Sequence, residues 1–355
     1  MQPRRQRSLQ QERLRRLLEH AYSTVPFYRK RFDDAGVHPS QIHPGQPLPI
    51  PATTRDMMRE QAQATISSAY NLKDLAVVSS NGTAGSPTIF RRDIEGLRDK
   101  VALNLHLNQW ADYDSGDSVM LLGDPQRDLT VVPSWKWRMY DRVLMRRNNG
   151  PMGSIDDEET LQRFHVLYEK QRPKVLYGCS TAIASFASHL QASGMRHRPQ
   201  AVIATAEALN DSDRKLIESV FGGKLFVHYG RGDIGMVGAE CSDHEGVHLH
   251  PWGVYMEFDP IGDTPDGPAY RMLATDLLNY GQPLIRYDTG DCVTMAEQLC
   301  SCGRWFPLVR HIPGRIAANI KPAVAVPQPA FPRSPAAASA SAERVRFPTP
   351  GAWAS

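Results

Sequence analysis

The sequence predicts an α/β fold with mostly parallel strands flanked by helices, together with a smaller β-rich subdomain. Short apolar runs alternate with amphipathic helical patterns between about residues 75 and 229. Such alternation is typical of a parallel sheet with helices on its faces. From about residue 247 to residue 295, strand-like pieces alternate with Gly, Pro and Asp turns. Hydrophobic residues make up 41% of the 355 residues, which is enough for a large core.

The individual elements can be placed in order along the chain. Residues 8–35 are predicted to be helical with a break at Pro26, residues 41–51 form a proline-rich connector, and residues 53–70 form a short helical region. The predicted strands cover residues 75–79, 118–123, 174–178, 201–205 and 224–229, and helices are predicted over residues 181–192 and 210–221. Loops at the carboxyl ends of such strands are where these sheets bind ligands.

The composition changes sharply after Lys321. The last 34 residues contain seven prolines and many Ala and Ser residues, without hydrophobic periodicity. Such a segment is expected to be disordered or loosely attached. We therefore predict a core domain over residues 1–315, with the β-rich subdomain at about 247–312, and a tail over residues 316–355.

Charge and cysteine content narrow the classes of function. The formal net charge of +3 gives no reason to expect a nucleic-acid partner. No run of ~18 apolar residues predicts a membrane span. The N-terminal arginines resemble a transit peptide in composition, but the leucines among them favour the apolar face of a surface helix. Five sparse cysteines favour a reducing compartment, so we expect a cytoplasmic protein.

A glycine-rich loop follows the first predicted strand, at Ser79–Thr88. Glycines let a loop approach a polyanion closely, and backbone N–H groups and hydroxyls can then donate hydrogen bonds to phosphate oxygens. The loop lacks the Lys of a Walker motif. An ordinary tight turn is the alternative interpretation.

Acidic residues follow later strands. Ala204–Ala208 and Tyr229–Asp233 each come directly after a strand, where an acid beside a phosphate loop suits a carboxylate-held Mg²⁺. Leu284–Asp291 ends with a carboxylate at a glycine turn, which could accept hydrogen bonds from ribose hydroxyls. Ile312–Arg315 offers a guanidinium to a nucleotide. For Glu207 and Asp233 the alternative is a helix cap or a solvated loop residue, and for Asp291 it is a plain β-turn.

In this order, the five motifs resemble the adenylate-forming superfamily of acyl-CoA ligases and adenylation domains. The resemblance is closer to its phenylacetate–CoA ligase-like branch, which includes relatives linked to capsular polysaccharide synthesis. Leu17–Arg29, Pro283–Asp291 and Cys300–Arg304 also look like that branch. The resemblance covers about residues 10–315 and implies the large ATP-binding domain of such an enzyme.

The resemblance implies roles for single residues. Asp233 would be the catalytic carboxylate that helps to hold Mg²⁺, where the family usually has the longer Glu. The ATP phosphates would be cradled by Ser79, Ser80, Gly82, Thr83 and Gly85. The adenine and ribose would be bound by Ala206, Glu207, Tyr229, Gly230, Asp291 and Arg315.

The resemblance also implies a reaction: a carboxylic acid, for example an aryl or arylacetic acid, is activated by ATP as its acyl-AMP, and coenzyme A then accepts the acyl group. The family's C-terminal domain with its catalytic Lys is expected to be missing here. We therefore expect slow adenylation unless a partner chain or a homodimer supplies the missing part. The alternatives are a non-catalytic nucleotide-binding protein and a surface-polysaccharide biosynthesis protein of the same fold.

A second constellation suggests a structural Zn²⁺. Cys241, His248, Cys300 and Cys302 supply the four sulfur and nitrogen ligands that tetrahedral zinc prefers, with His244 as the alternate ligand. Some members of the resembled branch carry the same set. Three reduced thiols near a surface loop are the alternative. Separately, His228 is expected to be a core histidine, with a position facing the acyl group as the alternative.

Overall fold

The computed structural model describes residues 3–42, 46–80, 88–123, 147–149, 157–264, 267–304 and 306–315. Its α-helices are α1 Pro3–Thr24, α2 Pro26–Asp34, α3 Arg55–Glu60, α4 Ile94–Asn108, α5 Glu158–Gln171, α6 Ser180–Ser193 and α7 Asp211–Phe221. Among these described helices, none combines the length and the hydrophobicity that crossing a bilayer requires.

The described strands form a two-stranded hairpin and one large sheet. The hairpin pairs β1 Ala76–Ser80 with β2 Thr88–Arg92. The large sheet contains β3 Val119–Leu122, β4 Arg147–Asn149, β5 Val175–Cys179, β6 Ala201–Thr205, β7 Leu225–Arg231, β8 Gly235–Glu240, β9 Val247–Leu249, β10 Val254–Thr264, β11 Gly267–Asp276, β12 Tyr287–Met295 and β13 Leu308–Arg315. Its strand order is β10-β11-β12-β13-β9-β8-β7-β6-β5-β3-β4.

One half of the sheet is parallel, from β4 to β7. Its strands read as continuous apolar runs because both faces are buried. Alternate side chains point to opposite faces: Leu176 and Val202 pack against α5, α6 and α7, whereas Val175 and Ile203 pack on the other side with Tyr113. The fold therefore brings the carboxyl ends of β5, β6 and β7 to one edge.

The other half, from β7 through β8, β9, β13, β12 and β11 to β10, is antiparallel. Strand β7 belongs to both halves. Strands β7 and β12 are four positions apart, so in a flat sheet they would lie about 19 Å apart. The hydroxyl of Tyr229 on β7 nevertheless lies 2.6 Å from a carboxylate oxygen of Asp291 on β12. The antiparallel half therefore curls, and it encloses its own hydrophobic core.

The N-terminal helices pack on this antiparallel half. Leu17, Tyr28 and Phe32 of α1 and α2 are buried beside Ile285. Tyr28 donates its hydroxyl hydrogen to the carbonyl of Pro283 at 3.0 Å, so α2 is fixed to the segment that leads into β12.

The α/β fold class is confirmed, with helices on the faces of the large sheet. The predicted helical region over residues 53–70 is shorter in the structure: α3 ends at Glu60, and turns follow it. The backbone there bonds to distant segments instead, since the N–H of Ser67 donates to the carbonyl of Gly281 and that of Ser68 to Thr24. The expected tail over residues 316–355 lies outside the described residues, and the domain division stays a prediction.

Candidate functional site

The carboxyl end of β7 carries the residues of the third motif. Tyr229, Gly230 and Arg231 end the strand, and Asp233 lies in the tight connection to β8. Tyr229 and Arg231 alternate along the strand and share a face, and the turn brings Asp233 back against Arg231. Gly230 is tightly enclosed, because a Cβ added there would lie 3.0 Å from the sulfur of Met236.

Arg231 joins two of the predicted site carboxylates. Its Nε and Nη2 atoms donate to the two oxygens of Asp233 at 2.9 and 2.8 Å, which is a bidentate pair. Its Nη1 atom donates to Oδ2 of Asp291 at 2.8 Å. Tyr229 donates to that same oxygen, and Tyr287 donates to Oδ2 of Asp233 at 2.9 Å. The structure therefore brings Asp233 and Asp291 to one place.

The charges in this group stabilise one another although they are buried. Burial disfavours the carboxylate form of Asp233, but attraction by Arg231 outweighs it, and the pKa of Asp233 is lowered. Burial also disfavours the charged guanidinium, yet the two carboxylates raise the pKa of Arg231 well above its usual value. Burial, followed by the nearby charge of Asp291, raises the pKa of Tyr229. At neutral pH Arg231 is therefore a cation beside an ionised Asp233, and Tyr229 is a neutral phenol.

The hairpin that carries the glycine-rich loop lies beside this group. Arg92 of β2 donates to the carbonyl of Gly232 at 2.6 Å. Phe90 of β2 meets the ring of Tyr287 edge-on, with a centroid distance of 6.1 Å. Thr88, the first described residue after the loop, accepts a hydrogen bond from Nε of Arg55 at 3.1 Å.

Ser79 and Ser80 end β1, where they pair with Ile89 and Thr88. Three of the predicted phosphate-binding residues, Gly82, Thr83 and Gly85, lie outside the described residues.

The Ala206–Glu207 motif stands at the neighbouring strand end. Ala206 has the left-handed φ of 71°, which is uncommon for a residue with a Cβ. Ser180, the first residue of α6, donates to the carbonyl of Glu207 at 3.0 Å, and Thr181 donates its hydroxyl to Oε2 of Glu207 at 2.6 Å. The motif is therefore anchored to the start of α6, one strand away from Tyr229.

Arg315 is paired with Asp291 across β13 and β12. This register places the backbone of Arg315 directly beside the carboxylate-bearing residue. Its side chain lies outside what the structure describes, so its contact with a nucleotide stays a prediction.

The four predicted zinc ligands form a second group. Ligand atoms of Cys241, His248, Cys300 and Cys302 all lie within 4.8 Å of one another. Sγ of Cys241 is 3.5 Å from Sγ of Cys300, and Sγ of Cys302 is 3.4 Å from Nε2 of His248. Zinc–sulfur and zinc–nitrogen bonds of about 2.0–2.3 Å require ligand spacings of this order. The donor set and its spacing therefore fit a tetrahedral ion.

Three elements of the antiparallel half supply these ligands. Cys241 follows β8, His248 lies in β9, and the two remaining cysteines lie between β12 and β13. The alternate ligand His244 is directed elsewhere: its Nδ1 is 3.5 Å from Glu240, and its ring contacts Phe226.

Sequence reasoning did not single out Arg231, Tyr287 or Arg92 as site residues. A partial signal for Arg231 was available, because a guanidinium two residues before Asp233 at the end of a strand is within reach of that carboxylate. The contact of Arg92 with Gly232 joins residues that are 140 positions apart, and the local sequence carries no sign of it.

Comparison with known proteins gives a consistent result. No protein-family model matches the chain. A phenylacetate–coenzyme A ligase of Aromatoleum evansii is 38% identical over 298 residues, covering 80% of this chain and 65% of the relative. A phenylacetate–coenzyme A ligase of Thermus thermophilus is 26% identical over 333 residues, covering 87% of this chain and 70% of the relative. The chain thus spans about two thirds of the length of these relatives.

Solved structures share the fold. A structure of 2-hydroxyisobutyryl-CoA ligase in an open conformation, in complex with 2-HIB-AMP and CoA, has a TM-score of 0.69 at 20% identity, covering 88% of this chain and 75% of that protein. The same ligase in its thioesterification state gives a TM-score of 0.70, with 89% and 69% covered. In sequence the chain is thus similar to phenylacetate–coenzyme A ligases, and in fold it is similar to 2-hydroxyisobutyryl-CoA ligase.

Proposed function

We propose that this chain activates a carboxylic acid with ATP to give acyl-AMP and pyrophosphate. The observation that carries the proposal is the convergence of Asp233 and Asp291 on one guanidinium, beside the hairpin that bears the glycine-rich loop. The relatives named phenylacetate–coenzyme A ligase support an acid of the aryl or arylacetic class. They also support coenzyme A as the acceptor of the acyl group in a following step.

In this proposal the nucleotide lies across the carboxyl ends of β6 and β7. Asp291 accepts hydrogen bonds from the ribose hydroxyls, and Arg315 assists it from the neighbouring strand. Ala206, Glu207, Tyr229 and Gly230 line the adenine side. Ser79, Ser80, Gly82, Thr83 and Gly85 donate to the phosphates.

The reaction needs no protein nucleophile. A carboxylate oxygen of the acid attacks the α-phosphorus of ATP, the bond to the bridging oxygen breaks, and pyrophosphate leaves. The protein contributes by holding the two reactants together and by placing positive charge near the developing negative charge. Mg²⁺ is expected to accompany the ATP phosphates. Because both oxygens of Asp233 are already engaged by Arg231, we assign no step to a metal ion held by that residue.

Exchange of labelled pyrophosphate into ATP, measured with a panel of aryl and arylacetic acids, tests the proposal. We expect exchange that depends on the acid and that is lost in Asp291→Asn. The asparagine NH2 group presents hydrogens to the ribose hydroxyls, where the carboxylate presents an acceptor oxygen. Arg214→Gln removes a charge from α7, outside the site, and should leave exchange unchanged. ATP binding without exchange for any acid would favour a nucleotide-binding protein that lacks catalysis or is completed by a partner.

We also propose that Cys241, His248, Cys300 and Cys302 hold a structural Zn²⁺. The ion would have its four positions filled by protein, so it would stabilise the fold rather than act on the substrate. Metal analysis of the purified protein should find about one zinc per chain. Cys300→Ser should lose that zinc. Cys292→Ser should keep it, because Cys292 lies in β12 outside the four-residue group.

None of the five cysteines, all of which lie in the described part of the chain, forms a disulfide. Free thiols persist in reducing compartments, and on this ground we propose a cytoplasmic location.

A further inference from the structure

The charge arrangement at the end of β7 differs from that of a carboxylate waiting for a metal ion. We propose that Arg231 is the cation that contacts the α-phosphate of the nucleotide, and that Asp233 is a positioning residue that holds Arg231. This inference rests on the proposed function, because it assumes that a nucleotide binds at Asp291.

The first argument is the engagement of Asp233. It is 2% exposed, and each of its oxygens accepts a hydrogen bond from Arg231. Tyr287 adds a third hydrogen bond. A carboxylate that ligates Mg²⁺ must direct a lone pair toward an open position at about 2.1 Å from the ion. Three of the roughly four lone-pair directions of the Asp233 carboxylate already accept hydrogen bonds, so a metal ion would have to share Oδ1 with the Nε–H of Arg231.

The second argument is the number of hydrogen bonds that the guanidinium can donate. Arginine has five N–H groups. Within the described part of the chain, three of them donate to Asp233 and Asp291, which leaves two for a ligand. Arginine in a fixed, planar arrangement recognises phosphate well, since two parallel hydrogen bonds can form. Asp233 holds the plane of Arg231 in one orientation, as a positioning residue should.

The third argument is the connection to the ribose site. Nη1 of Arg231 donates to Asp291, the carboxylate that is proposed to accept the ribose hydroxyls. The α-phosphate of a nucleotide is attached to the same ribose through its 5′ oxygen. A ribose held by Asp291 therefore brings its α-phosphate into the neighbourhood of the guanidinium, which sits between the two carboxylates.

The turn that follows Arg231 is fixed by hydrogen bonds from two other elements. Arg92 donates to the carbonyl of Gly232, and Lys100 of α4 donates to the carbonyl of Ile234 and, at 2.7 Å, to Asp276. These contacts come from two separate elements and fix the backbone on both sides of Asp233. The orientation of the Arg231 and Asp233 pair is thus set before a ligand arrives, which favours electrostatic stabilisation of a phosphate.

Binding of adenosine and AMP distinguishes a phosphate contact from a purely structural ion pair. AMP carries the α-phosphate and adenosine does not, and neither needs Mg²⁺. Titration calorimetry in EDTA measures both affinities. We expect Arg231→Gln to weaken the binding of AMP by about 10- to 100-fold, because a charge-assisted hydrogen-bonded pair is lost. The affinity for adenosine should change by less than about threefold, since the contacts of adenosine with the protein remain. Asp233→Asn should weaken AMP in the same direction, and Arg214→Gln should change neither ligand.

Arg231→Lys covers the case in which the glutamine variant fails to fold. It keeps the charge but cannot form the fork with Asp233, so AMP should again weaken while adenosine does not. Equal losses for AMP and adenosine would overturn the inference in favour of a structural role. An Asp233→Asn variant that binds AMP normally in EDTA and loses only Mg²⁺-dependent ATP binding would overturn it in favour of metal ligation. Failure of the unaltered protein to bind either ligand would instead refute the proposed function, and the inference with it.

Discussion

At the scale of single residues, β7 carries buried polar side chains on both faces of the sheet. The two faces differ in whether those side chains have hydrogen-bond partners. Tyr229 and Arg231 face the carboxylates and donate hydrogen bonds to them. His228, which comes directly before Tyr229 in β7, points to the opposite face. There it is 1% exposed and its ring lies 6.0 Å from that of Tyr177. Among the described residues, neither of its ring nitrogens has a hydrogen-bond partner.

This buried imidazole predicts a dependence of stability on pH. Burial lowers the pKa of His228 to about 3, whereas in the unfolded chain it titrates near pH 6.5. Between these values the unfolded state binds more protons, so the contribution of His228 is full above pH 6.5 and is lost as the pH falls toward 3. At pH 5 the free energy of unfolding should be lower by about 2 kcal/mol than at pH 8 from this residue alone.

Denaturant unfolding of His228→Phe across pH 5–8 measures this effect. The variant should lose that part of the slope, because phenylalanine keeps the ring and cannot be protonated. His311→Phe, at an exposed position on β13, serves as the control and should retain the slope. An unchanged slope in His228→Phe would show that the acid sensitivity arises elsewhere.

At the scale of elements, α4 shows how tertiary contacts override local preference. Gly96 lies in its first turn, where Asp93 caps the helix and accepts a hydrogen bond from the Gly96 N–H at 2.7 Å. Helix propensity alone predicts that Gly96→Ala stabilises by about 0.5–1 kcal/mol. A Cβ at this position, however, would lie 2.2 Å from the carbonyl oxygen of Leu278. The close packing of α4 on the β11–β12 connection depends on this glycine.

We therefore expect Gly96→Ala to lower the free energy of unfolding by about 1–3 kcal/mol, since backbone must move to admit the methyl group. Chemical denaturation measures the change. Val101→Ala on the exposed side of the same helix removes a β-branched residue and should be neutral or slightly stabilising. Stabilisation by Gly96→Ala would mean that α4 can shift away from Leu278.

The same helix is joined to β11 by a buried ion pair. Lys100 and Asp276 have side chains that are 10% and 0% exposed, with 2.7 Å between Nζ and Oδ2. Lys100→Met leaves Asp276 buried without its counter-ion, and we expect a loss of about 3–5 kcal/mol in thermal or chemical unfolding. Arg163→Met breaks an exposed pair on α5 and should cost at most about 0.5 kcal/mol. A loss of under 1 kcal/mol in Lys100→Met would show that water or rearrangement neutralises Asp276.

How far the sequence predicts these elements depends on whether the signal is local. The strands at Ala201–Thr205 and Val175–Cys179 follow from continuous apolar runs, because a parallel strand buries both faces. The proximity of Asp233 and Asp291 followed only from resemblance. Strand order depends on long-range pairing, and nothing local to either carboxylate encodes the curl of the antiparallel half. The hydrogen bonds between Arg231 and Asp233 also escaped prediction, although the two residues are only two positions apart.

At the scale of the whole molecule, the sheet joins two different halves through β7. The parallel half is held by a core against three helices, whereas the antiparallel half curls around a separate core and carries the cysteine–histidine group at one end. Trp110, just beyond α4, packs edge-on against His248 at 5.9 Å, and Arg304 lies 4.6 Å above its ring. The group therefore ties the β12–β13 connection to β8, β9 and the end of α4.

If the group holds zinc as proposed, removal of the metal should destabilise the antiparallel half around the group and leave the parallel half unchanged. Without the ion, the side chains of the four ligands contact one another through weak thiol and imidazole hydrogen bonds. Binding of a structural metal is coupled to local folding, so hydrogen exchange should accelerate over residues 296–308 and 241–249. Strands β5 and β6 should keep their protection, since their core lies in the parallel half. Re-addition of zinc should restore protection. Uniform acceleration would mean that the two halves unfold as one unit, and no change would show that the ligand group needs no ion to hold its strands together.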